Sequence, residues 1–177
     1  MNVFLVGCRG SGKTTIAPLL AKQLGWQFLD LDARIVELSG KTIREIFQEE
    51  GEEGFRRRES EACQHLKRVR HYVIALGGGS LNDPENRLLI KRLGKVVWLR
   101  APAAVLQSRI KQDPHTANHR PNLTDHGGLA EMESILAERE PHYRAVANHT
   151  VDTVTQSPVE IAEAIEMWYR ADEPQAY

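Results

Sequence analysis

The sequence of 177 residues predicts an α/β fold in three layers, in which a five-stranded parallel β-sheet carries helices on both faces. Two observations lead to this prediction. Short apolar runs alternate along the chain with stretches of helical periodicity, and this alternation is typical of a parallel sheet that is covered on both sides. A glycine-rich segment also lies directly between the first apolar run and the first helical stretch, which is where many α/β folds bind phosphate groups.

The apolar runs predict buried strands at residues 2–6, 27–29, 72–76, 96–99 and 150–151. The periodic stretches predict helices at residues 14–24, 33–38, 42–50, 53–69, 86–93, 103–111, 129–146 and 158–169. Helix ends favour a residue with left-handed backbone angles, and glycines stand at four such places: Gly25, Gly40, Gly51 and Gly94. Pro18 lies inside the first predicted helix, where we expect a local distortion and not a break.

The predicted elements form one domain, residues 1–170, followed by a frayed tail at residues 171–177. The polar segment 113–128 has no apolar periodicity and is long for a connector inside a compact domain. This segment is therefore either disordered or a functional lid, which would span residues 112–128.

Composition, net charge and cysteine count limit the classes of protein and the cell compartments that fit this sequence. Hydrophobic residues make up 41% and charged residues 27% of the chain, as in ordinary globular proteins. A net charge of -1 provides no overall field that would recruit nucleic acid or an anionic membrane. Cys8 and Cys63 are too few for a disulfide framework, and the apolar opening is too short for a signal peptide or a membrane span. We expect a cytoplasmic, monomeric enzyme whose partners are small molecules.

The segment at residues 7–14 matches the phosphate-binding pattern G-x-x-x-x-G-K-[ST] between a strand and a helix. Its glycines let backbone N–H groups surround the phosphates of ATP, and the helix N-terminus adds a positive dipole. Lys13 is expected to reach the transferring phosphate, and the Thr14 hydroxyl to ligate Mg²⁺. The candidate ATP-binding residues of this P-loop are Gly10, Ser11, Gly12, Lys13, Thr14 and Thr15.

Two carboxylates, Asp30 and Asp32, end the second predicted strand. The carboxyl edge of a parallel sheet faces the crevice where ligands bind. One carboxylate can hold a water molecule of Mg²⁺ and the other an acceptor hydroxyl. The alternative is a surface pair in which Asp32 caps the next helix.

The third strand ends in three glycines, Gly77, Gly78 and Gly79, with no carboxylate after the apolar run. ATPase motors and transporters place an acid there, and the sequence also has no Asn-Lys-x-Asp motif of guanine-binding switches. The glycines offer bare backbone N–H groups at the edge of the crevice. This pattern favours a small-molecule phosphotransferase.

Taken in order, these motifs resemble the shikimate kinase family. The resemblance runs from residue 2 to about residue 168 and includes the P-loop, Phe28-Leu29-Asp30-Leu31-Asp32, Ile46-Phe47, Gly54-Phe55-Arg56-Arg57, Leu76-Gly77-Gly78-Gly79, Arg120-Pro121 and Arg139-Glu140-Pro141-His142-Tyr143-Arg144. Taken alone, Arg56 or Arg139 is better explained as a solvated helical charge.

The resemblance implies a role for each matching residue. Asp32 would hold shikimate hydroxyls and act as the base, and Asp30 would support Mg²⁺ through water. The carboxylate and ring hydroxyls would bind to Arg56, Arg139 and the Gly78 N–H, with Phe47 and Phe55 beside the ring, in a helical region at residues 33–65. Arg120 would be the lid arginine that closes on ATP phosphate, while Arg109 and Gln156 would flank adenine.

Two alternatives remain open at this point. Another small-molecule P-loop kinase, such as a gluconate kinase, should lack paired arginines that grip a carboxylate beside Asp32. A catalytically silent nucleotide-binding regulator would bind ATP without turnover. A nucleoside monophosphate kinase is disfavoured because its Asp-Gly-x-Pro-Arg signature is absent after the third strand.

Overall fold

The computed structural model describes residues 1–112 and 128–172, which form a five-stranded parallel sheet in the order β2-β3-β1-β4-β5. The strands are β1 (Asn2–Val6), β2 (Gln27–Asp30), β3 (Tyr72–Ala75), β4 (Gly94–Arg100) and β5 (His149–Asp152). All four neighbouring pairs are parallel, which confirms the predicted sheet.

Seven helices connect the strands or follow them in the described part of the chain: α1 (Lys13–Leu24), α2 (Leu31–Ser39), α3 (Ile43–His65), α4 (Pro84–Leu93), α5 (Ala103–Gln112), α6 (Gly128–Val146) and α7 (Pro158–Asp172). A short 3-10 turn (Leu66–Arg68) follows α3. Helix α1 continues through Pro18 without a break.

The two faces of the sheet bury two separate apolar clusters, because successive residues of a strand point to opposite sides. Phe4 and Val6 of β1 pack into the cluster that includes residues of α2, α3, α4, α5 and α6. Val3 and Leu5 pack into the cluster on the other face, formed with α1 and α7. The three-layer architecture predicted from the sequence is therefore confirmed.

The boundary between β2 and α2 differs from the prediction, and the difference places the candidate residue Asp32 in the helix and not at the end of the strand. Helix α2 begins at Leu31 and not at residue 33, because the Asp30 side chain caps its N-terminus. The Asp30 Oδ1 atom accepts hydrogen bonds from the backbone N–H groups of Asp32 at 2.9 Å and Ala33 at 3.1 Å. The N-cap is thus Asp30 and not Asp32, and Asp32 lies in the first turn of α2.

Gly51 interrupts α3 at the point where the sequence predicts the end of one helix and the start of another. Its backbone angles, φ 68° and ψ -172°, are not helical, and they fall in a region that only glycine adopts without strain. The helical turns before and after Gly51 therefore run along different axes, although α3 includes both.

The prediction of a left-handed helix end is wrong for Gly94. Its φ of 176° is extended, and Gly94 is the first residue of β4, where it pairs with Asn2 of β1. A Cβ atom at this position would overlap the Asn2 carbonyl oxygen. The glycine is needed for the close approach of two strands, which the local sequence pattern does not distinguish from a helix end.

Part of the sequence prediction concerns residues beyond the described ranges. The segment 113–127, which makes up most of the predicted lid and contains Arg120, lies outside them, as do residues 173–177 of the predicted tail. Helix α7 itself continues to Asp172. Each helix within residues 1–112 and 128–172 is too short or too polar to cross a bilayer.

Candidate active site

The P-loop connects β1 to α1 and wraps around the N-terminus of the helix. Gly12 forms the N-cap with φ 93°, and the Ser11 N–H donates to the Cys8 carbonyl at 3.1 Å, which closes the loop into a tight turn. Gly10 has φ 82°, and a Cβ atom there would lie 2.6 Å from the Leu106 carbonyl oxygen of α5. The loop therefore needs glycine for both conformation and space, as the motif predicts.

The ammonium group of Lys13 folds back over the loop. It donates hydrogen bonds to the carbonyl oxygens of Gly7 at 2.7 Å and Cys8 at 3.0 Å. The Ser11 hydroxyl, 3.4 Å away, is a further acceptor. A phosphate oxygen bound in the loop could replace these carbonyl oxygens as acceptors of the Lys13 ammonium group.

Thr14 and Asp30, the two residues that the sequence analysis relates to Mg²⁺, meet beside the loop. The Thr14 hydroxyl donates to Asp30 Oδ2 at 3.0 Å, which brings together two hard oxygen ligands at the mouth of the P-loop. No group of three or more His, Cys, Asp or Glu that could hold a metal occurs among residues 1–112 and 128–172. This donor set fits Mg²⁺, which is usually held by one or two protein oxygens together with water and substrate phosphates.

A cleft next to the P-loop encloses about 540 Å³ of empty space, including the open solvent at its mouth. We call it the acceptor cleft and define it by Phe47, Phe55, Arg56, Gly78, Gly79 and Arg139, which all line it. The two phenylalanine rings stack with their centres 4.8 Å apart, and they meet because the break at Gly51 lies between them in α3. The cleft thus combines an apolar wall with two arginines.

Arg139 is buried in this cleft, with only 8% of its surface exposed. Its Nε atom is buried and has no hydrogen-bond partner among the described residues. A buried guanidinium with an unused donor is unfavourable unless an anion binds to it. The cleft is therefore suited to a ligand that carries a carboxylate or another anion.

Arg56 lies in the same cleft and is held by two carboxylates. Glu59, which is 2% exposed, accepts a hydrogen bond from Arg56 Nη1 at 2.7 Å, and the more exposed Glu52 accepts one from Nη2 at 3.2 Å. Burial by itself lowers the pKa of Arg56, but Glu59 and then Glu52 raise it above its ordinary value, so that the group stays charged. The Ser80 hydroxyl donates to Glu59 at 2.6 Å and fixes this carboxylate in turn.

The triglycine turn, residues 77–79, makes room for these charged side chains. A Cβ atom at Gly77 would overlap Glu59 and would lie 2.9 Å from Asp32 Oδ1. A Cβ atom at Gly78 would lie 3.1 Å from Arg139 Nη1, and one at Gly79 would overlap the Arg56 guanidinium. The sequence indicates only that these glycines expose backbone N–H groups; in the structure, side chains also fill the space where their Cβ atoms would be.

Arg109 on α5 ties the P-loop to the segment after β5. Its guanidinium donates to the Thr153 hydroxyl at 2.9 Å and to the Thr153 carbonyl at 2.5 Å, with a longer contact to the Gly10 carbonyl at 3.4 Å. Gln156 is exposed in the segment that follows Thr153. The predicted pair that would flank adenine therefore sits on adjoining segments.

Several residues at the site are not predicted by the sequence. Glu59 and Ser80 hold Arg56, Thr153 holds Arg109, and Cys8 and Arg9 of the P-loop also line the acceptor cleft. Glu59 stands three residues after Arg56, and this ion-pair spacing within a helix was the one local signal that pointed to it.

Fold and site together define a P-loop kinase that acts on a small molecule: a phosphate loop, the hydrogen-bonded oxygens of Thr14 and Asp30, and an acceptor cleft lie at one edge of the sheet. A family model described as shikimate kinase matches residues 9–169. The protein is 44% identical over 164 residues to shikimate kinase 2 of Yersinia pseudotuberculosis, which covers 93% of this chain and 92% of the relative. It is likewise 44% identical over 160 residues to a shikimate kinase of Rhodopirellula baltica, which covers 90% and 86%.

Solved structures agree with these relatives. The shikimate kinase from Acinetobacter baumannii in complex with shikimate superposes with a TM-score of 0.90 at 34% identity, covering 98% of this chain and 95% of the other. A gluconokinase from Sinorhizobium meliloti has a TM-score of 0.57 at 17% identity and shares the fold alone. The chain belongs to the shikimate kinase family.

Proposed function

We propose that this protein transfers the γ-phosphate of ATP to the 3-hydroxyl of shikimate, giving 3-phosphoshikimate and ADP, a step in the synthesis of chorismate and the aromatic amino acids. The observation that carries the proposal is the buried Arg139 with its unused Nε donor, in one cleft with Arg56 and two stacked phenylalanines. A small ring that bears a carboxylate and several hydroxyls matches each of these features. The family relatives support the same substrate.

In this proposal, the arginines bind the carboxylate end of the acceptor and the phenylalanines contact its ring. Arg56 and Arg139 hold the carboxylate and ring hydroxyls, because planar guanidinium groups can donate paired hydrogen bonds to a carboxylate. The Gly78 N–H adds a donor, and Phe47 and Phe55 pack beside the ring. The opposite end of the ring then faces Asp32 and the P-loop.

Asp32 is the proposed base. The acceptor oxygen forms its bond to the γ-phosphorus as the bond from phosphorus to the ADP oxygen breaks, and the hydroxyl proton passes to Asp32. Lys13 neutralises charge on the phosphate oxygens during this transfer. Because the transition state of phosphoryl transfer is loose, positioning and charge neutralisation account for most of the catalysis.

Thr14 is proposed to ligate Mg²⁺ directly and Asp30 to hold it through water, which agrees with the 3.0 Å contact between the two side chains. When bound, the metal supplies positive charge to the β- and γ-phosphate oxygens. Arg109 and Gln156 are proposed to flank adenine. Arg120 is proposed to close on ATP phosphate, a role that rests on the family resemblance because this residue lies outside the described ranges.

The proposal is tested by ADP release from the purified protein mixed with ATP, Mg²⁺ and a single acceptor. Shikimate should give rapid ADP release and a product whose phosphorus signal couples to the proton at C3. Gluconate should give none, and the methyl ester of shikimate, which lacks the carboxylate charge, should react poorly. ADP release with gluconate alone would support the other kinase class, and no release with any acceptor would support the silent regulator.

The proposal also includes the state of the protein in the cell. We infer a monomer in the cytoplasm, where ATP is available and where the two cysteines, both free thiols in the structure, remain reduced.

A further inference from the structure

The break at Gly51 divides α3 into two arms, and an ion pair joins these arms beside the break. We call residues 43–50 the first arm and residues 52–65 the second arm. The carboxylate of Glu50, at the end of the first arm, accepts two hydrogen bonds from Arg58 of the second arm, at 3.0 Å from Nε and 2.7 Å from Nη2. A guanidinium and a carboxylate that share two hydrogen bonds have a fixed relative orientation. We call this pair the Glu50–Arg58 clamp.

The clamp depends on the bend in α3. Residues eight positions apart in a straight helix are separated by about 12 Å along the axis, beyond the three or four positions over which helical side chains meet. The stacked rings of Phe47 and Phe55 span the same interval of eight positions. In each arm the charged residue follows the aromatic residue by three positions, so the two side chains lie on one face of the helix. The two arms therefore meet face to face along a ring pair and an ion pair.

Gly54 provides the space for this contact. A Cβ atom at Gly54 would lie 2.3 Å from the Glu50 Cβ atom and 3.1 Å from its Oε2 atom. Gly54 is buried and lies in a helical part of α3, so glycine is needed there for close approach and not for unusual backbone angles. The Glu50 side chain passes over Gly54 to reach Arg58, which lies about one helical turn further along the second arm.

The clamp is partly shielded from solvent. The side chains of Glu50 and Arg58 are 22% and 31% exposed, and a pair with two parallel hydrogen bonds contributes more than a fully exposed ion pair. Lys41, which lies between α2 and α3, is 3.8 Å from Glu50 and also pairs with Glu49. Hydrogen bonds from Arg58 lower the pKa of Glu50, and burial only partly opposes them, so the carboxylate stays charged at neutral pH. A charged clamp of this kind can fix the angle between the two arms.

The angle between the arms determines the shape of the acceptor cleft. Phe47 reaches the cleft from the first arm, while Phe55 and Arg56 reach it from the second. Glu50 and Arg58 are not among the described residues that line the cleft. A change in the angle would therefore move the apolar wall relative to the guanidinium, without direct contact between the clamp and a ligand.

We propose that Glu50 and Arg58 are positioning residues that hold the two arms of α3 in the arrangement that binds the carboxylate-bearing acceptor. The inference rests on the proposed function, because it concerns the affinity of the same cleft for shikimate. Without the clamp, the arms adopt the binding arrangement for only a fraction of the time, and the apparent dissociation constant rises by the inverse of that fraction. Saturating shikimate restores the binding arrangement, so kcat stays the same.

The test compares the steady-state kinetics of the full chain with those of Glu50→Gln and Arg58→Met. Glu50→Gln keeps the size of the side chain and removes its charge, while Arg58→Met keeps the apolar stem and removes the guanidinium. We expect each variant to raise the shikimate KM by about three-fold to ten-fold, with kcat and the ATP KM within about two-fold of the original values. The double variant should raise the shikimate KM no further, because both changes remove one ion pair.

Glu166→Gln is the matched control. Glu166 pairs with Arg170 inside α7, at 2.9 Å from Nε and 2.8 Å from Nη2, and α7 packs on the face of the sheet opposite α3. The control removes the same charge from a similar pair that does not span a break, and it should leave the shikimate KM unchanged. Thermal unfolding of every variant identifies a temperature at which all of them are folded, and the kinetics are compared there.

Three results would overturn the inference: an unchanged shikimate KM in Glu50→Gln, a fall in kcat without a rise in that KM, or a double variant whose effect is the product of the two single effects. If Glu50→Gln does not fold, an unchanged shikimate KM in Arg58→Met overturns it instead. These results leave the proposed function intact as long as the original protein phosphorylates shikimate. Failure of the original protein to phosphorylate shikimate is a separate result that removes the proposed function itself.

Discussion

Asp32 is the residue whose chemistry the proposal depends on most directly. It lies in the first turn of α2, next to the triglycine turn, where its Oδ1 atom is 2.9 Å from the place of a Gly77 Cβ atom. Asp32→Asn keeps the shape of the side chain but removes its charge and its ability to take a proton. We expect kcat to fall by about 10²-fold or more with ADP affinity nearly unchanged.

The measurement for Asp32 combines steady-state kinetics with ADP binding by calorimetry. Asp172→Asn is the control, because Asp172 pairs with Lys95 near the start of β4. This is the end of the sheet where the strands begin, opposite the end that carries the site. The control should have the original kcat. Turnover of Asp32→Asn within a few-fold of the original protein would remove this residue from the catalytic role.

Arg139 and Arg144 offer a comparison within one helix. Both lie on α6, but Arg139 is buried in the cleft, whereas Arg144 is exposed and pairs with Glu140 at 2.8 Å. A lysine keeps the charge but cannot donate two parallel hydrogen bonds to a carboxylate. Arg139→Lys should therefore raise the shikimate KM by about ten-fold or more, which corresponds to loss of one charged hydrogen bond of about 1.5–3 kcal/mol.

Arg144→Lys should leave the shikimate KM unchanged, since an exposed ion pair contributes about 1 kcal/mol or less. Both constants come from kinetics with shikimate varied at saturating ATP. If the two lysine variants behaved alike, Arg139 would be an ordinary helical charge and the case for a carboxylate acceptor would be lost.

Arg56 has two carboxylate partners that differ mainly in burial, so it offers a second internal comparison. Glu59 is 2% exposed, while the Glu52 side chain is 65% exposed. Glu59→Gln removes the buried carboxylate and leaves the partly buried Arg56 guanidinium with only the exposed Glu52, and we expect it to lower the free energy of unfolding by about 1–3 kcal/mol and to raise the shikimate KM. Glu52→Gln should change the stability by less than about 1 kcal/mol. Urea unfolding and acceptor kinetics distinguish them, and equal effects would contradict the assignment of Glu59 as the residue that holds Arg56.

At the scale of elements, the break in α3 is the feature with the clearest consequence for the site. Gly51 has backbone angles that strain any other residue, although a Cβ atom there would meet no neighbour within 4 Å. Gly51→Ala should therefore destabilise the protein through backbone strain alone, by about 1–3 kcal/mol. Because Phe47 and Phe55 lie on either side of the break and stack at 4.8 Å, the shikimate KM should also rise.

The control for the break is Gly40→Ala, at the C-cap of α2. Gly40 has φ 65° and ψ 12°, a left-handed conformation that other residues adopt at a cost of about 1–2 kcal/mol. Gly40→Ala should lower the free energy of unfolding without changing the shikimate KM. An unchanged KM in Gly51→Ala would show that the break does not orient the two rings.

At the scale of the whole molecule, the described surface offers few places for stable self-association. The edge strands β2 and β5 have only four residues each, and short edge strands are poor templates for pairing. Exposed large hydrophobic side chains are spread over separate elements, with Phe28 on β2, Leu88 on α4 and Met167 on α7. Light scattering after gel filtration should therefore give the mass of one chain, 20.0 kDa, with and without ligands. A doubled mass that dissociates on dilution would contradict the proposed monomer.

The sequence by itself determined the features that depend on local pattern. The order of strands and helices, the glycines and Lys13 of the P-loop, and the break at Gly51 all follow from periodicity or from backbone needs that a few neighbouring residues reveal. The resemblance of the motifs to shikimate kinases also needed only their order along the chain, and the comparisons confirm it.

The tertiary structure decided what depends on contacts between distant segments. Burial of Arg139 needs α6 to pack beside the triglycine turn, about 60 residues earlier in the chain, and no local pattern distinguishes it from the exposed Arg144. The local sequence around Gly94 predicts a helix end. Only the pairing of β4 with β1 shows that the glycine is needed for the close approach of the two strands. The contact of Tyr143 with Cys8 spans 135 residues. Periodicity shows which face of a helix is buried, but only the packed structure shows which polar group that face meets.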